Sequence, residues 1–366
     1  KNITFKNVGA NYSQKIVLSG VTDSVTIDSS KFVGTVTNSN SSNYVSIYGN
    51  SADATSLKIK NNSFTDGGNY AINLNSNNSS SLPTGLEISG NTFTDTYNGI
   101  YLQYYDGVTI RGNTISGSYM YDYGLNLNSC NGANVIEDNT IYSPQLTYGI
   151  YLNYCQAASG SEAIIANNLI SVEDHGIYLN YYNYYQNMYY NSVKVRDSYA
   201  LFTYSGSSNN TLINNILLTE STGDAAAYFY NTSVVTNSDY NDFYSNSDYP
   251  IYYSGNKTLV QWQAYGQDSS SVSIDPLFNT DPDYDIDPDN YMVPASYILD
   301  NLGTPIAGIS DDIYGNTRSE TTPDMGALEF TVEGSALAGS YTVGSGGDYD
   351  SISTALNDLS IYGISG

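Results

Sequence analysis

The side chains of this chain that could perform acid–base chemistry are few and scattered. The only histidine, His175, follows an acidic residue in the segment Asp174-His175-Gly176, which would suit general acid–base catalysis. Elimination from an acidic polysaccharide needs calcium-binding carboxylates and an Arg or Lys base, yet the first 255 residues hold only Arg111 and Arg196 besides scattered lysines. Hydrolysis needs two or three clustered carboxylates, and the acidic residues are spread along the chain. We therefore predict no catalytic residue.

An acidic loop is the candidate metal site. Its aspartates recur at every second residue: Asp281, Asp283, Asp285, Asp287 and Asp289. Carboxylate oxygens in this pattern suit Ca²⁺ better than a transition metal, although the loop lacks the glycine and the final glutamate of an EF-hand. A solvated acidic loop, kept open by Pro282 and Pro288, is the alternative. Calcium is thus the one cofactor that the sequence suggests.

Two cysteines lie 25 residues apart at the same place in two similar segments, Cys130 at the end of LNLNSC and Cys155 at the end of YLNYC. If these segments form neighbouring strands, about 4.8 Å apart, a disulfide is within reach but requires the parallel Cα–Cβ bonds to adjust. The sequence leaves two alternatives, a disulfide and a stacked pair of free thiols. Two cysteines without a nearby histidine do not favour a metal site.

The elements that would position these side chains follow from a repeat. Asparagines recur every 22 to 29 residues: Asn62, Asn91, Asn113, Asn139, Asn168, Asn191, Asn215 and Asn241. Half a period later, glycines occur in the related segments NGIYL, YGLNL, YGIYL and HGIYL. Repeats of this length are typical of solenoids, in which each unit buries its apolar face against the next unit.

Short segments of alternating polarity around each asparagine, such as LEISGNTF (86–93), predict strands. About 25 residues per repeat suffice for three strands. We therefore predict an all-β protein, a right-handed parallel β-helix of about ten coils, with a C-terminal irregular β region and a short capping helix. Asn and Gly at the corners would adopt the left-handed backbone of a sharp bend, and stacked asparagines would form a ladder. His175 takes the corner position of Tyr123 and Tyr148, which favours a structural role.

Aromatic residues form the strongest candidate binding surface. Because side chains of a strand alternate, the residue between the two apolar residues of each coil should face outward. That position reads Asn73, Tyr101, Asn126, Tyr151, Tyr178, Phe202, Tyr228 and Tyr252, and Tyr104, Tyr154 and Tyr181 extend the same side. The rings could simply stabilise the sheet. However, an aromatic strip of this length favours an interface for another filament, a partner protein or a glycan.

The composition excludes some partners. The 366 residues carry a net charge of −25, which argues against binding to nucleic acid or to an anionic membrane surface. No apolar run is long enough for membrane insertion, and no signal peptide is recognisable. We therefore expect a mature or internal piece of a protein that does not enter a membrane.

The sequence pattern changes twice along the chain. Residues 1–255 carry the coils, and residues 256–333, which include a short amphipathic segment and the acidic loop, are predicted to close the β-helix. Residues 334–366 combine a linker with a segment of helical spacing, for which Asp350 or Ser351 would be the N-cap.

Several motifs resemble those of the right-handed parallel β-helix repeat proteins of bacterial cell surfaces, large secreted polypeptides that often carry such domains in series. The matching segments are WQAYGQD (262–268), SIDPLF (273–278), DDIYGNTR (311–318), PDMGALEF (323–330) and YTVGSGGDYDSISTAL (341–356). The resemblance implies a β-helix at the cell surface and indicates little about activity. It also implies a closing strand whose arginine is held by acids. Here Arg318, Asp324 and Glu329 would form this structural tie.

The same resemblance bears on the two ends of the chain. In that family a segment like 341–366 begins a β-helix domain, and residues 1–21 resemble its continuation. This implies one period of a head-to-tail array, in which the C-terminal segment covers the first coil of the next copy and buries Ile352, Leu356 and Leu359. The copies would be joined by a peptide link or by insertion of one subunit's tail into the next.

We therefore predict a non-catalytic extracellular protein with a structural or adhesive function. Its expected partners are copies of itself and glycans or other cell-surface components. Many parallel β-helices are pectate lyases or polygalacturonases, so a polysaccharide-active enzyme or a carbohydrate-binding module is the alternative.

Overall fold

Short strands wind into three parallel sheets in a computed structural model of the chain. The structure describes residues 1–6, 14–20, 24–36, 44–51, 53, 55–77, 80–278 and 292–365. Each coil contributes one strand to the first sheet, one to the second and one to the third, and then the next coil begins. Nine complete coils and two strands of a tenth lie within the described residues.

The strands are numbered along the chain. The first sheet contains β1 (Thr4–Lys6), β4 (Lys31–Val36), β7 (Ser63–Gly67), β10 (Thr92–Thr94), β13 (Thr114–Ser116), β16 (Thr140–Ser143), β19 (Leu169–Val172), β22 (Ser192–Val195), β25 (Ile216–Thr219) and β28 (Asp242–Ser245). The second sheet contains β2 (Ile16–Leu18), β5 (Val45–Asn50), β8 (Tyr70–Asn75), β11 (Asn98–Gln103), β14 (Tyr123–Asn128), β17 (Tyr148–Asn153), β20 (His175–Leu179), β23 (Leu201–Thr203), β26 (Ala227–Phe229), β29 (Ile251–Tyr252) and β30 (Asn256–Lys257). The third sheet contains β3 (Thr26–Asp28), β6 (Lys58–Lys60), β9 (Glu87–Ser89), β12 (Thr109–Arg111), β15 (Val135–Glu137), β18 (Ala163–Ala166), β21 (Gln186–Tyr189), β24 (Asn210–Ile213) and β27 (Val235–Asp239).

The predicted fold class is confirmed: the chain is an all-β parallel β-helix of the right-handed type. Apolar residues at alternate positions of each strand point inward and stack in columns through the solenoid. In the first sheet, Phe5, Phe32, Phe64 and Phe93 stack with ring centroids 4.7 to 4.9 Å apart. The distance between neighbouring strands of a parallel sheet thus determines the distance between stacked side chains of the core.

A ladder of buried asparagines runs along one corner. The Oδ1 atom of Asn139 accepts the backbone N–H of Asn113 at 3.1 Å, and its Nδ2 group donates to the carbonyl of Ile110 at 3.0 Å and to Oδ1 of Asn168 at 3.0 Å. The same pattern continues from Asn62 to Asn241. These bonds satisfy backbone groups that the bend removes from the strand ladders.

The left-handed backbone expected at the corners lies one residue before each ladder asparagine, and that residue is a glycine at positions 90 and 112 and an asparagine at positions 61, 167 and 214. The ladder asparagines keep ordinary φ angles, and the residue before each one takes the positive φ, as at Asn61 (55°), Asp138 (57°) and Tyr190 (53°). The ladder side chain must face the core to reach its neighbours, so the preceding residue makes the turn. Gly124, in the second sheet, has a different role and permits close packing, because a Cβ there would lie 2.7 Å from the carbonyl oxygen of Gly149.

Residues after the coils cover the end and one flank of the β-helix. Helix α1 (Leu259–Gln263) begins at Thr258 with a capping box, and Trp262 stacks on Phe229 at 4.7 Å, which closes the core. A 3₁₀ helix (Tyr297–Leu299) follows. Helix α2 (Ile352–Tyr362) begins at Ser351, which supports one of the two predicted N-caps.

The asparagine ladder gives a stability prediction. Replacing Asn139 with Ala would leave the N–H of Asn113 and the carbonyl of Ile110 buried without partners, at about 2 to 4 kcal/mol in total. We expect the N139A variant to unfold at a lower urea concentration, and the control N256A, at an exposed asparagine, to unfold like the parent. Unchanged unfolding of N139A would contradict the role of the ladder.

Candidate binding surface

The outward side chains of the second sheet form three parallel columns, together called the aromatic face. The central column is Tyr48, Asn73, Tyr101, Asn126, Tyr151, Tyr178, Phe202, Tyr228 and Tyr252, joined coil to coil by the strand register. The first column is Tyr70, Asn98, Tyr123, Tyr148 and His175, with Tyr199 next to His175. The third column is Asn75, Gln103, Asn128, Asn153 and Asn180, followed by Tyr204 and Tyr230.

The central column is a stack of rings. Tyr178 lies 4.5 Å from Phe202, Phe202 lies 4.4 Å from Tyr228, and Tyr228 lies 4.7 Å from Tyr252, with the ring planes within 16° of parallel. Tyr151 stacks on Tyr178 at 5.3 Å. Because these rings turn their faces toward one another, they present mainly their edges to the outside.

Side-chain amides border the ring stack. Asn75 donates to Gln103 at 2.9 Å, and Asn180 donates to Asn153 at 3.1 Å and to the hydroxyl of Tyr151 at 2.6 Å. Each amide carries two donor protons and an oxygen with two lone pairs, so these contacts leave hydrogen-bonding capacity that faces outward.

The most exposed rings of this side lie beside the third column or, for Tyr230, at its end. Tyr154, Tyr181, Tyr182 and Tyr230 are each between 37% and 47% exposed. Tyr154 lies 5.5 Å from Tyr182, and Tyr181 meets Tyr204 edge to face at 5.0 Å. We call these four residues the outer tyrosines. Tyr104 is half-buried. The rings that the sequence singled out therefore divide into a stacked column and an outer group.

The tyrosine hydroxyls of the aromatic face stay protonated, so they are neutral hydrogen-bond donors. Burial raises the pKa of Tyr151 to about 12, with smaller contributions from Tyr123 and Tyr148, so its hydroxyl stays protonated at neutral pH. Burial also raises the pKa of Tyr178 far above its usual range. Carboxylates lie along the side of the first column, where Asp122 and Asp174 interact with Tyr148.

His175 lies within the first column, as its register with Tyr148 predicted. Its ring is 5.0 Å from Tyr178 and 5.7 Å from Phe202, and its Nε2 atom lies 3.2 Å from the hydroxyl of Ser198. Burial lowers the pKa of His175 to about 4, although Asp224 and Asp197 oppose the shift. The imidazole is therefore a neutral member of the ring stack.

The two arginines of the coils are paired with acids. Arg111 forms an ion pair with Glu137, and Arg196 lies 3.4 Å from Glu173. Both pairs are partly exposed. Both guanidiniums are therefore engaged in ion pairs at the surface of the coils.

Cys130 and Cys155 lie in successive coils and are buried free thiols in the structure, the second of the two alternatives. Their Sγ atoms contact the carbonyl oxygens of Leu102 at 3.6 Å and Leu127 at 3.5 Å. Burial raises the pKa of Cys155 to about 12 and that of Cys130 well above its usual range. These thiols are inert core groups.

Arg318 ties the closing region to the coils. Its guanidinium donates to Oδ1 of Asn167 at 3.0 Å and to the carbonyl of Gly326 at 2.9 Å, and it lies 3.9 Å over the ring of Tyr190. The acids of the predicted trio are close by: the carboxylate of Glu329 and the carbonyl oxygen of Asp324 lie 3.5 and 3.4 Å from Nη1. Burial raises the pKa of Asp324 to about 7.

The predicted calcium loop, Asp281 to Asp289, lies outside the described residues. Elsewhere, in the part of the chain that the structure describes, no three His, Cys, Asp or Glu side chains lie together as a metal site would require. Among the same residues, no helix is long and apolar enough to cross a bilayer. Helix α2 exposes Ile352, Leu356 and Leu359 and packs against the 3₁₀ helix of its own chain.

Sequence reasoning missed two of the three columns. The amide column could have been found, because Asn or Gln follows the apolar pair in LNLN, YLQ and YLN. The first column was visible only as a corner position. A corner position alone does not show that Tyr70, Tyr123 and Tyr148 belong to the aromatic face.

A three-sided parallel solenoid with one aromatic face defines the chain as a parallel β-helix protein. Residues 80–274 match the family model described as "Periplasmic copper-binding protein (NosD)". The match covers more than half of the chain, and the chain therefore belongs to this family. No curated protein matches the chain.

The single histidine allows a direct test of this packing. We expect the His175 ring resonances to titrate with a midpoint near pH 4, and to return to about 6.5 in urea. Because the folded pKa is lowered, the neutral imidazole contributes stability above pH 6.5, and this contribution is lost as the pH falls toward 4. Replacing Tyr178 with Ala should raise the midpoint, whereas the distant Y314A should not. A midpoint above 6.5 would show that an acid, not the ring stack, controls His175.

Proposed function

We propose that this chain is a non-catalytic structural and adhesive protein outside the cytoplasm, one period of a head-to-tail array that binds a neutral glycan along its aromatic face. The observation that carries the proposal is the side-by-side arrangement of tyrosines and side-chain amides on one sheet. Sugars present apolar C–H surfaces, which pack on rings, and hydroxyls, which pair with amides.

The outer tyrosines are the better sugar platforms. The faces of the central column are occupied by neighbouring rings, whereas Tyr154, Tyr182 and Tyr230 are more than 40% exposed. Amides of the third column lie between the two groups and could pair with sugar hydroxyls. The coils repeat every 4.8 Å or so, about the length of one sugar ring, so an extended chain could meet equivalent groups in successive coils.

Charge favours a neutral glycan. The acids beside the first column, Asp122 and Asp174 among them, would repel uronates and sulfated sugars. The net charge of −25 acts in the same direction over a longer range. This argues against pectin and alginate as ligands.

The family description supports a location in the periplasm or beyond it. The copper binding named in the family description must be compared with the donors of this chain. Copper favours Cys, His and Met donors. In the described chain the sole histidine packs among rings, and the two thiols are buried and protonated against backbone carbonyls. An anionic thiolate–copper centre there would have no compensating charge. These donors do not fit a copper site, and the proposed function does not use one.

Catalysis is disfavoured by the surroundings of the candidate residues. A general base must reach its substrate and have a pKa near the working pH, whereas His175 packs among aromatic rings and burial lowers its pKa to about 4. Arg196 is paired with Glu173. The head-to-tail arrangement is supported by helix α2, whose apolar side chains are exposed.

Glycan binding is tested by retention on a panel of polysaccharides. We expect retention on at least one neutral polymer among cellulose, chitin and soluble β-glucan, and none on alginate. Each ring contributes about a factor of ten, so the double variant Y154A/Y182A should bind about a hundredfold more weakly. The control Y314A removes an equally exposed tyrosine away from the face. Equal binding by both variants, or a preference for alginate, would reject the proposal.

Absence of turnover is tested separately. Incubation with pectin, alginate or chitin in the presence of calcium should release no unsaturated or reducing ends, because His175 is covered by aromatic rings and Arg196 lies against Glu173. Saturable release that is abolished by H175A or R196A would establish the enzyme alternative.

A further inference from the structure

Tyrosine is the readily oxidised side chain that this chain exposes. The chain contains four methionines, two cysteines and one tryptophan. All of these side chains are at most 1% exposed: Met120, Met188, Met292, Met325, Cys130, Cys155 and Trp262. Several of the 39 tyrosines, by contrast, are exposed. A one-electron oxidant in solution therefore reaches phenol rings before it reaches sulfur or indole, because oxidation of a side chain follows its accessibility.

Three of the outer tyrosines form a cluster of accessible phenols. Tyr154, Tyr181 and Tyr182 belong to two successive coils and are 42%, 37% and 43% exposed. The ring centroid of Tyr154 lies 5.5 Å from that of Tyr182 and 6.1 Å from that of Tyr181. The fourth outer tyrosine, Tyr230, contacts Tyr204, which is more deeply buried. The cluster therefore brings together phenols that an oxidant can reach on both sides of the contact.

The backbone positions the closest pair, Tyr154 and Tyr182. Both residues adopt the left-handed conformation, with φ angles of 54° and 52°, so their side chains leave neighbouring coils in similar directions. Gly206 in the following coil provides room for the second ring, because a Cβ there would lie 2.6 Å from Cδ1 of Tyr182. The planes of the two rings are within 19° of parallel. The contact thus follows from the stacking of the coils.

We propose that Tyr154 and Tyr182 are the site of an oxidative cross-link, a dityrosine, formed by a haem peroxidase with hydrogen peroxide as the oxidant. Each phenol loses one electron and one proton and becomes a phenoxyl radical with spin density on the ring carbons next to the C–O carbon. One such carbon of each ring forms the new C–C bond, and the hydrogens displaced from these carbons restore the two hydroxyls. The two electrons and two protons reduce the peroxide to two waters. This modification goes beyond the proposed function, which uses the same rings only as contacts.

The neighbouring tyrosines are poorer partners. A hydrogen bond with Tyr204 raises the pKa of Tyr181, and burial raises the pKa of Tyr151 to about 12. A phenol that keeps its proton is harder to oxidise than a phenolate, so these rings react less readily than the pair. The cross-link would join two successive coils and restrict the unfolded chain, as a disulfide does.

Treatment of the dilute chain with a haem peroxidase and hydrogen peroxide, in the absence of glycan, tests the site. We expect dityrosine fluorescence in a product that remains a monomer in denaturing electrophoresis. Mass spectrometry of the digested product should show the peptides of Tyr154 and Tyr182 joined and lighter by two hydrogens. The product should unfold at a higher urea concentration than the untreated chain. Absence of dityrosine, or cross-links distributed over the exposed tyrosines in proportion to their exposure, would overturn the proposal.

Phenylalanine variants identify the reacting hydroxyls, because they keep the ring and its packing. Y154F and Y182F should each lose most of the fluorescence. The controls Y119F and Y265F remove hydroxyls that are at least as accessible, on residues 47% and 50% exposed, and should behave like the parent. Equal fluorescence in all four variants would reject the site.

An equal mixture of Y154F and Y182F chains distinguishes a cross-link within one chain from one between chains. The mixture contains both phenols but never on the same chain, so we expect it to stay without fluorescence. Recovery of the parent's signal would show a link between chains and overturn the proposal. Both variants keep the ring face on which a sugar would pack, so they should bind glycan like the parent. Loss of glycan binding with an intact cross-link would reject the proposed function alone, and the reverse result would reject the cross-link alone.

Discussion

The hydrogen bonds of the buried asparagine ladder are the constraint on which this structure depends. Each bend between the third and first sheets leaves backbone groups without strand partners, and the next asparagine in the stack satisfies them. The ladder works only when consecutive coils lie in register. A slip by one residue would move each buried side chain outside and leave several polar groups unpaired in the core.

Fixed register has consequences for the outer surface. Residues that occupy one position of the repeat become a column with the spacing of the coils, so a tyrosine repeated in sequence becomes a stack in space. The same register places the amides beside the tyrosines and places His175 among the rings. Under the proposed function, an extended glycan would share the direction of these columns and nearly their period.

Much of this could be predicted from the sequence because the repeat encodes it. The spacing of the asparagines and the alternation of residues such as Ile100, Tyr101 and Leu102 determine the sheets, the core and the central column. The packing of Arg318 on Asn167 joins residues 151 positions apart that belong to no repeat, so no periodicity could indicate it. The state of Cys130 and Cys155 also depends on side-chain orientation, which strand spacing leaves open.

In the proposed function the surface of the β-helix makes the contacts, and no acid–base group is required. Candidate acid–base groups are paired or covered, while rings, amides and an apolar helix face remain available. Family membership supports the fold and leaves the ligand to be argued from the site.

Hydroxyl-radical footprinting of the tyrosines, with and without cellulose or chitin, tests the central claim most directly. Binding along the aromatic face predicts that the ligand protects Tyr154, Tyr181 and Tyr230, while Tyr265 and Tyr314, which are at least as exposed as Tyr154, keep their reactivity. No protection by either glycan, or equal protection of Tyr265 and Tyr314, would contradict it.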